Sequence, residues 1–189
     1  MERGDVDDSQ DAQRSQCGGE HSENYAIALQ AGGWPDARQG RDSAIAHLRK
    51  ALALPSGQDV FLYQYYLAHL LVLQKKYAEA EPELRAAGRL VGDGNAYVPL
   101  LEGLRDPGSR DAALRLLGGW SASPVTARLP LVFLAGWYTL LGEPAAALEL
   151  LERGVAERAP FMTYLDGVGL EGLAEAPRYR AVRARVGLP

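Results

Sequence analysis

The sequence predicts an all-α protein, a row of antiparallel helix pairs closed by a short C-terminal capping helix, and three observations carry that expectation. Small residues recur at Ala44, Ala80, Ala113 and Ala147, at separations of 36, 33 and 34. Each is followed four residues later by a leucine, Leu48, Leu84, Leu117 or Leu151, so that a small and a large side chain share one helical face. Elsewhere apolar residues stand three and four apart, as in Leu148, Leu151 and Val155, and strand-like alternation is absent over any useful length. A fixed period of this size is the signature of a repeat architecture.

Residues 1–22 are rich in Asp, Ser, Gln and Gly and hold almost no large apolar side chains. Such a segment cannot bury enough surface to offset chain entropy, so a disordered acidic tail is expected. The lone Cys17 has no partner for an internal disulfide, which fits a reducing compartment. The opening residues carry Glu2, Asp5, Asp7, Asp8 and Asp11 in place of an apolar signal core, and a cytoplasmic location is expected. Residues 1–24 hold seven acidic and two basic side chains against 17 and 18 in the remainder, so the net charge of -4 comes from the tail. A near-neutral body offers no general electrostatic reason to expect nucleic acid or an anionic membrane as partner.

Residues 23–160 divide into about four helix pairs. In the first, Ala44, Leu48 and Ala51 mark a second helix, but Gly32, Gly33 and Pro35 interrupt the helix before it. An extra connection over residues 34–41 accounts for the longer first spacing, with Asp42 or Ser43 as the expected cap of the next helix. The lead helices of the other units carry Leu67, Ala68 and Leu71, then Leu100, Leu101 and Leu104, then Leu134, Ala135 and Tyr138. Gly108 and Gly142 lie five residues before their alanines, where a turn between helices asks for left-handed backbone, and Lys75 takes that place in the second unit.

Pro130 and Pro144 stand near expected helix starts, whereas Pro82 falls inside a helix and predicts a late start or a kink. Gly118 and Gly119 are expected to end a helix, and Gly92 to Asn95 to form a plain turn, since the later ligands of a calcium loop are missing. The apolar runs 60–73 and 129–141 are shorter than the roughly 20 residues of a membrane span and read as buried helices. Residues 161–189 break the pattern with Gly167, Gly169 and Gly172, then open an Arg-rich helix near Pro177, and together form the expected C-terminal cap.

The set Leu131, Leu134, Ala135, Tyr138, Gly142, Ala147, Leu151 and Gly154 resembles the tetratricopeptide repeat family, as does Leu67, Ala68, Leu71, Tyr77, Ala80, Leu84 and Ala87. The resemblance covers roughly residues 25–160. It implies a right-handed superhelix, a TPR-like α-solenoid, whose lead helices line a concave groove. Transferred by the repeat register, the groove positions are Leu62, Tyr65, His69 and Val72, then Asn95, Val98, Glu102 and Arg105, then Leu129, Val132, Gly136 and Thr139. The alternative for the apolar members is packing against the tail or the C-terminal cap.

The resemblance implies a scaffolding or protein-interaction module that holds a peptide or protein in a partly apolar groove. Grooves of this family that clamp a terminal carboxylate use Lys, Arg and Asn where Leu62, Tyr65 and His69 stand, which argues against that ligand. The closing run from Leu173 to Pro189, with Ala176, Pro177, Tyr179 and Val182, resembles the end of tetratricopeptide regions attached to bacterial nucleotide cyclases and winged-helix regulators. That second likeness implies an alternative role as a regulatory fragment acting on a separately encoded cyclase or transcription regulator.

No catalytic constellation is legible. The histidines are His21, His47 and His69, with no Cys-x-x-Cys, His-x-x-x-His or Gly-rich phosphate loop. His47 and His69 read as ordinary surface histidines in preference to a metal pair. Arg178, Arg180, Arg183 and Arg185 spread around their helix at 100° per residue and read as a solvated face, not a nucleic-acid stripe. The expectation is therefore a non-enzymatic protein with no cofactor or metal.

Overall fold

The computed structural model describes residues 37–53, 60–123 and 129–188. The acidic tail, Cys17 and the interrupted lead helix of the first unit lie outside them. Among the described residues the regular structure is all helical, with no strand: α1 (Ala37–Ala53), α2 (Val60–Leu73), α3 (Tyr77–Leu90), α4 (Val98–Arg105), α5 (Arg110–Ala122), α6 (Leu131–Leu140), α7 (Pro144–Ala156) and α8 (Pro177–Arg185). Short 3-10 turns occupy Pro107–Ser109 and Glu171–Leu173.

Consecutive helices pack on one another, α1 on α2, α2 on α3, α4 on α5, α6 on α7 and α7 on α8. The repeating small residues are the seats of this packing. Ala44, Ala80, Ala113 and Ala147 are wholly buried, and so are Leu48, Leu84, Leu117 and Leu151 one helical turn on. Each buried leucine contributes on the order of 2 kcal/mol, and each alanine lets the neighbouring backbone approach where a larger side chain would force it away.

Two helices are apolar all round and lie inside. In α2 the residues from Tyr65 to Val72 are all buried, and in α6 those from Leu131 to Tyr138, as expected of helices without a polar face. The amphipathic α3, α5 and α7 cover them with single faces, Ala80, Leu84 and Ala87 in α3, Ala113 and Leu117 in α5.

Five helices end in one motif, in which the amide three residues past the helix bonds back to the carbonyl five residues before it. The bonds run from Lys76 to Leu71, Asp93 to Gly88, Glu143 to Tyr138, Ala159 to Gly154 and Leu188 to Arg183, at 2.8–3.0 Å. The residue preceding each donor has left-handed backbone: Lys75 (φ 60°), Gly92 (94°), Gly142 (79°), Arg158 (52°) and Gly187 (80°). Lys75 therefore adopts the conformation that the repeat register assigns to Gly142, at a steric cost of about 1–2 kcal/mol that glycine avoids.

Several expectations are corrected. Gly108 is not a left-handed turn residue: it lies in the 3-10 turn Pro107–Ser109, where Asp106 accepts from its amide at 3.1 Å and from the Ser109 hydroxyl at 2.8 Å. Pro107 and this side-chain cap supply the reversal that a left-handed residue supplies elsewhere. α3 does not start late, since it opens at Tyr77 and runs through Pro82, which sits in the second turn and removes only the bond to Ala78. Gly118 and Gly119 lie inside α5, which continues to Ala122, with Trp120 in its last turn packed on Tyr97. Asp42 and Ser43 lie inside α1, so neither caps it. Asp42 instead accepts from the Gln74 amide at 2.7 Å, tying α1 to the end of α2.

Pro130 and Pro144 stand at the starts of α6 and α7, and Pro177 opens α8. The string from Gly92 to Asn95 is an interhelical turn, closed by Asp93 accepting from the Asn95 amide at 2.8 Å. No described helix is long and apolar enough to cross a membrane.

Candidate functional site

α2 and α6 run in the same direction and face each other across the position where the repeat register puts a groove. Their aromatic side chains close it. Phe133 stands edge-on to Tyr65, Tyr66 and His69 with ring centroids 5.5–5.6 Å apart, and His69 meets Trp137 at 5.5 Å. The Trp137 indole N–H donates to the Tyr65 hydroxyl, so the polar atoms of both rings are satisfied inside the core.

What remains of the groove is filled by the chain itself. The segment 161–173 lies against α7 at Gly154 through Met162, and against α2 and α6 through Val168, Gly169 and Gly172, and its Met162, Leu165, Val168, Leu170 and Leu173 are buried. At its centre the His69 ring Nε2 donates to the Val168 carbonyl at 3.0 Å. Gly136 makes this approach possible, because a Cβ there would stand 2.1 Å from the Val168 oxygen. Further along, Gly169 passes Leu73 and Leu140, and Gly172 passes the Thr139 methyl. Arg41 of α1 holds the far end through Glu171, while Arg183 and Arg178 of α8 bind Asp166 at 2.6 Å and Glu152 at 2.8 Å.

The groove positions read from the sequence therefore separate into two groups. Tyr65, His69, Val72, Val98, Leu129 and Val132 are buried in the chain's own core, which corrects their reading as an open partner-binding face. For Tyr65 and His69 the reason is that α2 meets Phe133 and Trp137 of α6 directly, with Val168 of the 161–173 segment over His69, the packing against the C-terminal cap raised as the alternative. Leu62 and Thr139 are half-buried, and Asn95, Glu102 and Arg105 are exposed. Asn95 and Arg105 belong to a surface ladder between α3 and α4: Arg85 donates to Asn95 and to Glu81 at 2.9 Å, and Arg105 donates to Glu81 at 3.2 Å. These bonds, with the two arginine charges, hold the Glu81 carboxyl below the ordinary glutamate value.

His69 is likewise a core residue and not a surface one. Burial lowers its pKa to about 4 against the opposing effect of the Val168 bond, so the ring is neutral near pH 7. With the proton on Nε2, Nδ1 is left as a buried acceptor without a partner. Burial also pushes the Tyr65 and Tyr66 phenols well above their ordinary value. No group of three or more metal-ligating residues occurs among the described residues.

Sequence reasoning missed Phe133, Trp137 and Val168. The run of large residues through α6 and the three closely spaced glycines of the 161–173 segment were the available signals, since glycine repeated in a loop marks close backbone approach. It also missed an aromatic row at the end of the molecule where α2 begins. There the Tyr97 ring lies 6.0 Å from half-buried Phe61 and 5.5 Å from half-buried Trp120. Leu90, at the end of α3, is 48% exposed. No family model, curated protein or solved structure matches this chain.

Proposed function

We propose that this chain is a tetratricopeptide-type array, its helix pairs set as a right-handed superhelix, that works as a protein-interaction module, and that it meets its partner at one open end and not in the groove. Magnitude decides against the groove. Five side chains of the 161–173 segment, which lies over that face, are almost fully buried in the core, and at about 2 kcal/mol each their release costs on the order of 10 kcal/mol, comparable with the stability of a whole domain. A partner peptide would have to replace all of that before gaining any affinity.

The observation that carries the reading is Leu90, exposed at the end opposite the turns after α2, α4 and α6. The end holding those turns presents Gln74, Lys75, Lys76, Asp106, Ser109 and Glu143, with Leu73, Tyr77, Leu104 and Leu140 half-buried behind them. The opposite end presents Phe61 and Leu62 from the first turn of α2, Leu90 from the end of α3 and Trp120 from the end of α5. An exposed leucine flanked by half-buried aromatic and aliphatic side chains and by polar residues, here Asn95 and Arg85, is the composition of an interface centre. The ligand class that fits is a protein or peptide offering apolar side chains of its own.

The test is capture from native lysate by the intact chain and by a Leu62→Asp, Leu90→Asp variant, with Ala145→Asp on the polar end as control. Loss of the same partner from the double variant alone, at unchanged helicity, supports the end surface; an anchor of this kind is worth about 2 kcal/mol. Equal recovery from all three proteins rejects it.

A further inference from the structure

We propose that the C-terminal piece from Phe161 through α8 also docks in trans, each of two copies of this chain placing its own piece in the groove of the other. This inference rests on the contacts of the 161–173 segment and not on the open-end reading above.

The first observation is that the groove is fitted to this segment in detail and holds it without a covalent link. Gly136 admits the Val168 carbonyl, His69 donates to it, and Gly169 and Gly172 pass Leu140 and Thr139 at 3.5 Å from their Cβ positions. Ion pairs from Arg41 to Glu171 and from Glu152 to Arg178 bridge the piece to the rest of the array, whereas Arg183 and Asp166 both lie within it. Every one of these contacts forms equally well when the piece comes from a second copy.

The second observation is the hinge. α7 ends at Ala156, and only residues 157–160 separate it from the segment. Arg158 and Phe161 both hold left-handed backbone, at φ 52° and 66°, on either side of Ala159 and Pro160. For an aromatic residue such a φ is a true outlier, and a short connection under strain is the device that favours exchange between copies. An extended hinge releases both residues while the docked contacts stay the same, so the exchanged dimer differs from two monomers by relieved strain against lost translational freedom and the opened bond from Ala159 to Gly154. The groove then carries an interaction surface whose partner is this chain itself.

The test uses two full-length variants, both with Cys17→Ser, one carrying Thr139→Cys and the other Gly172→Cys. These positions adjoin in the docked arrangement, the Thr139 methyl lying 3.5 Å from a Cβ at 172. The variants are mixed at millimolar concentration, taken through partial unfolding and refolding, and oxidised. A disulfide-linked heterodimer joining 139 to 172 is expected. Its yield should rise when Ala159 and Pro160 are deleted, which makes folding back too short a reach, and fall several-fold with Arg158→Gly and Phe161→Gly, which remove the strain. Monomer alone after refolding, or a dimer in which 139 and 172 never cross-link, overturns the proposal.

Discussion

The Nε2 of His69 lies 3.0 Å from the carbonyl oxygen of Val168, 99 residues further along the chain. This bond joins the middle of α2 to the middle of the segment that fills the groove. It requires a neutral ring that carries its proton on Nε2, and it leaves Nδ1 unpaired in the core.

Stability should therefore fall in mild acid. The folded pKa of His69 is lowered to about 4 from 6.5 by burial, so its contribution is complete above the unfolded value and is lost as pH drops from 6.5 through 4. The full loss is about 3 kcal/mol. Chemical denaturation across that range should show the decline, and His69→Gln, which keeps a donor toward Val168 but does not titrate, should flatten it. A profile unchanged by His69→Gln would assign the acid sensitivity to other groups.

Gly136→Ala should destabilise by about 2 kcal/mol or more, since the new Cβ meets backbone oxygen that cannot turn aside. Gly118→Ala, also within a helix but with nothing inside 4 Å of its Cβ position, should instead stabilise by up to about 1 kcal/mol. Thermal unfolding of the two variants checks the pair. Equal effects would mean that the Val168 carbonyl is not held against α6.

Lys75→Gly should raise stability by about 0.5–1 kcal/mol, the left-handed cost relieved less the entropy glycine adds to the unfolded chain. Gly142→Ala, at φ 79° in the corresponding turn, should lower it by about 1 kcal/mol. Opposite signs at positions related by the repeat are the outcome sought in denaturant midpoints.

Enlarging the seats should be costly. Ala80→Leu and Ala147→Leu each insert a large side chain where no surface is exposed and should destabilise by about 1–3 kcal/mol. Tolerance of both, measured by thermal unfolding, would contradict the packing of α2 on α3 and of α6 on α7.

What the sequence determined by itself was the local and periodic part of the structure. Helices show in the spacing of Leu48, Leu84, Leu117 and Leu151 from their alanines because a helix face repeats within a few residues. The turns at Lys75 and Gly142 show because a chain reversal needs a particular backbone conformation at one position. The burial of α2 and α6 shows because each carries a continuous apolar run. Whether those helices present an open groove is a different kind of question. It depended on Phe133 and Trp137 meeting Tyr65 and His69, and on a loop about 100 residues from α2 returning against them. Neither relation leaves a period or a spacing in the chain, since contacts between distant segments are selected by the total surface they bury and the fit they achieve together. Tertiary structure alone thus moved Tyr65 and Val132 from a binding face to the core, and left Leu90 as the exposed large apolar side chain among the described residues.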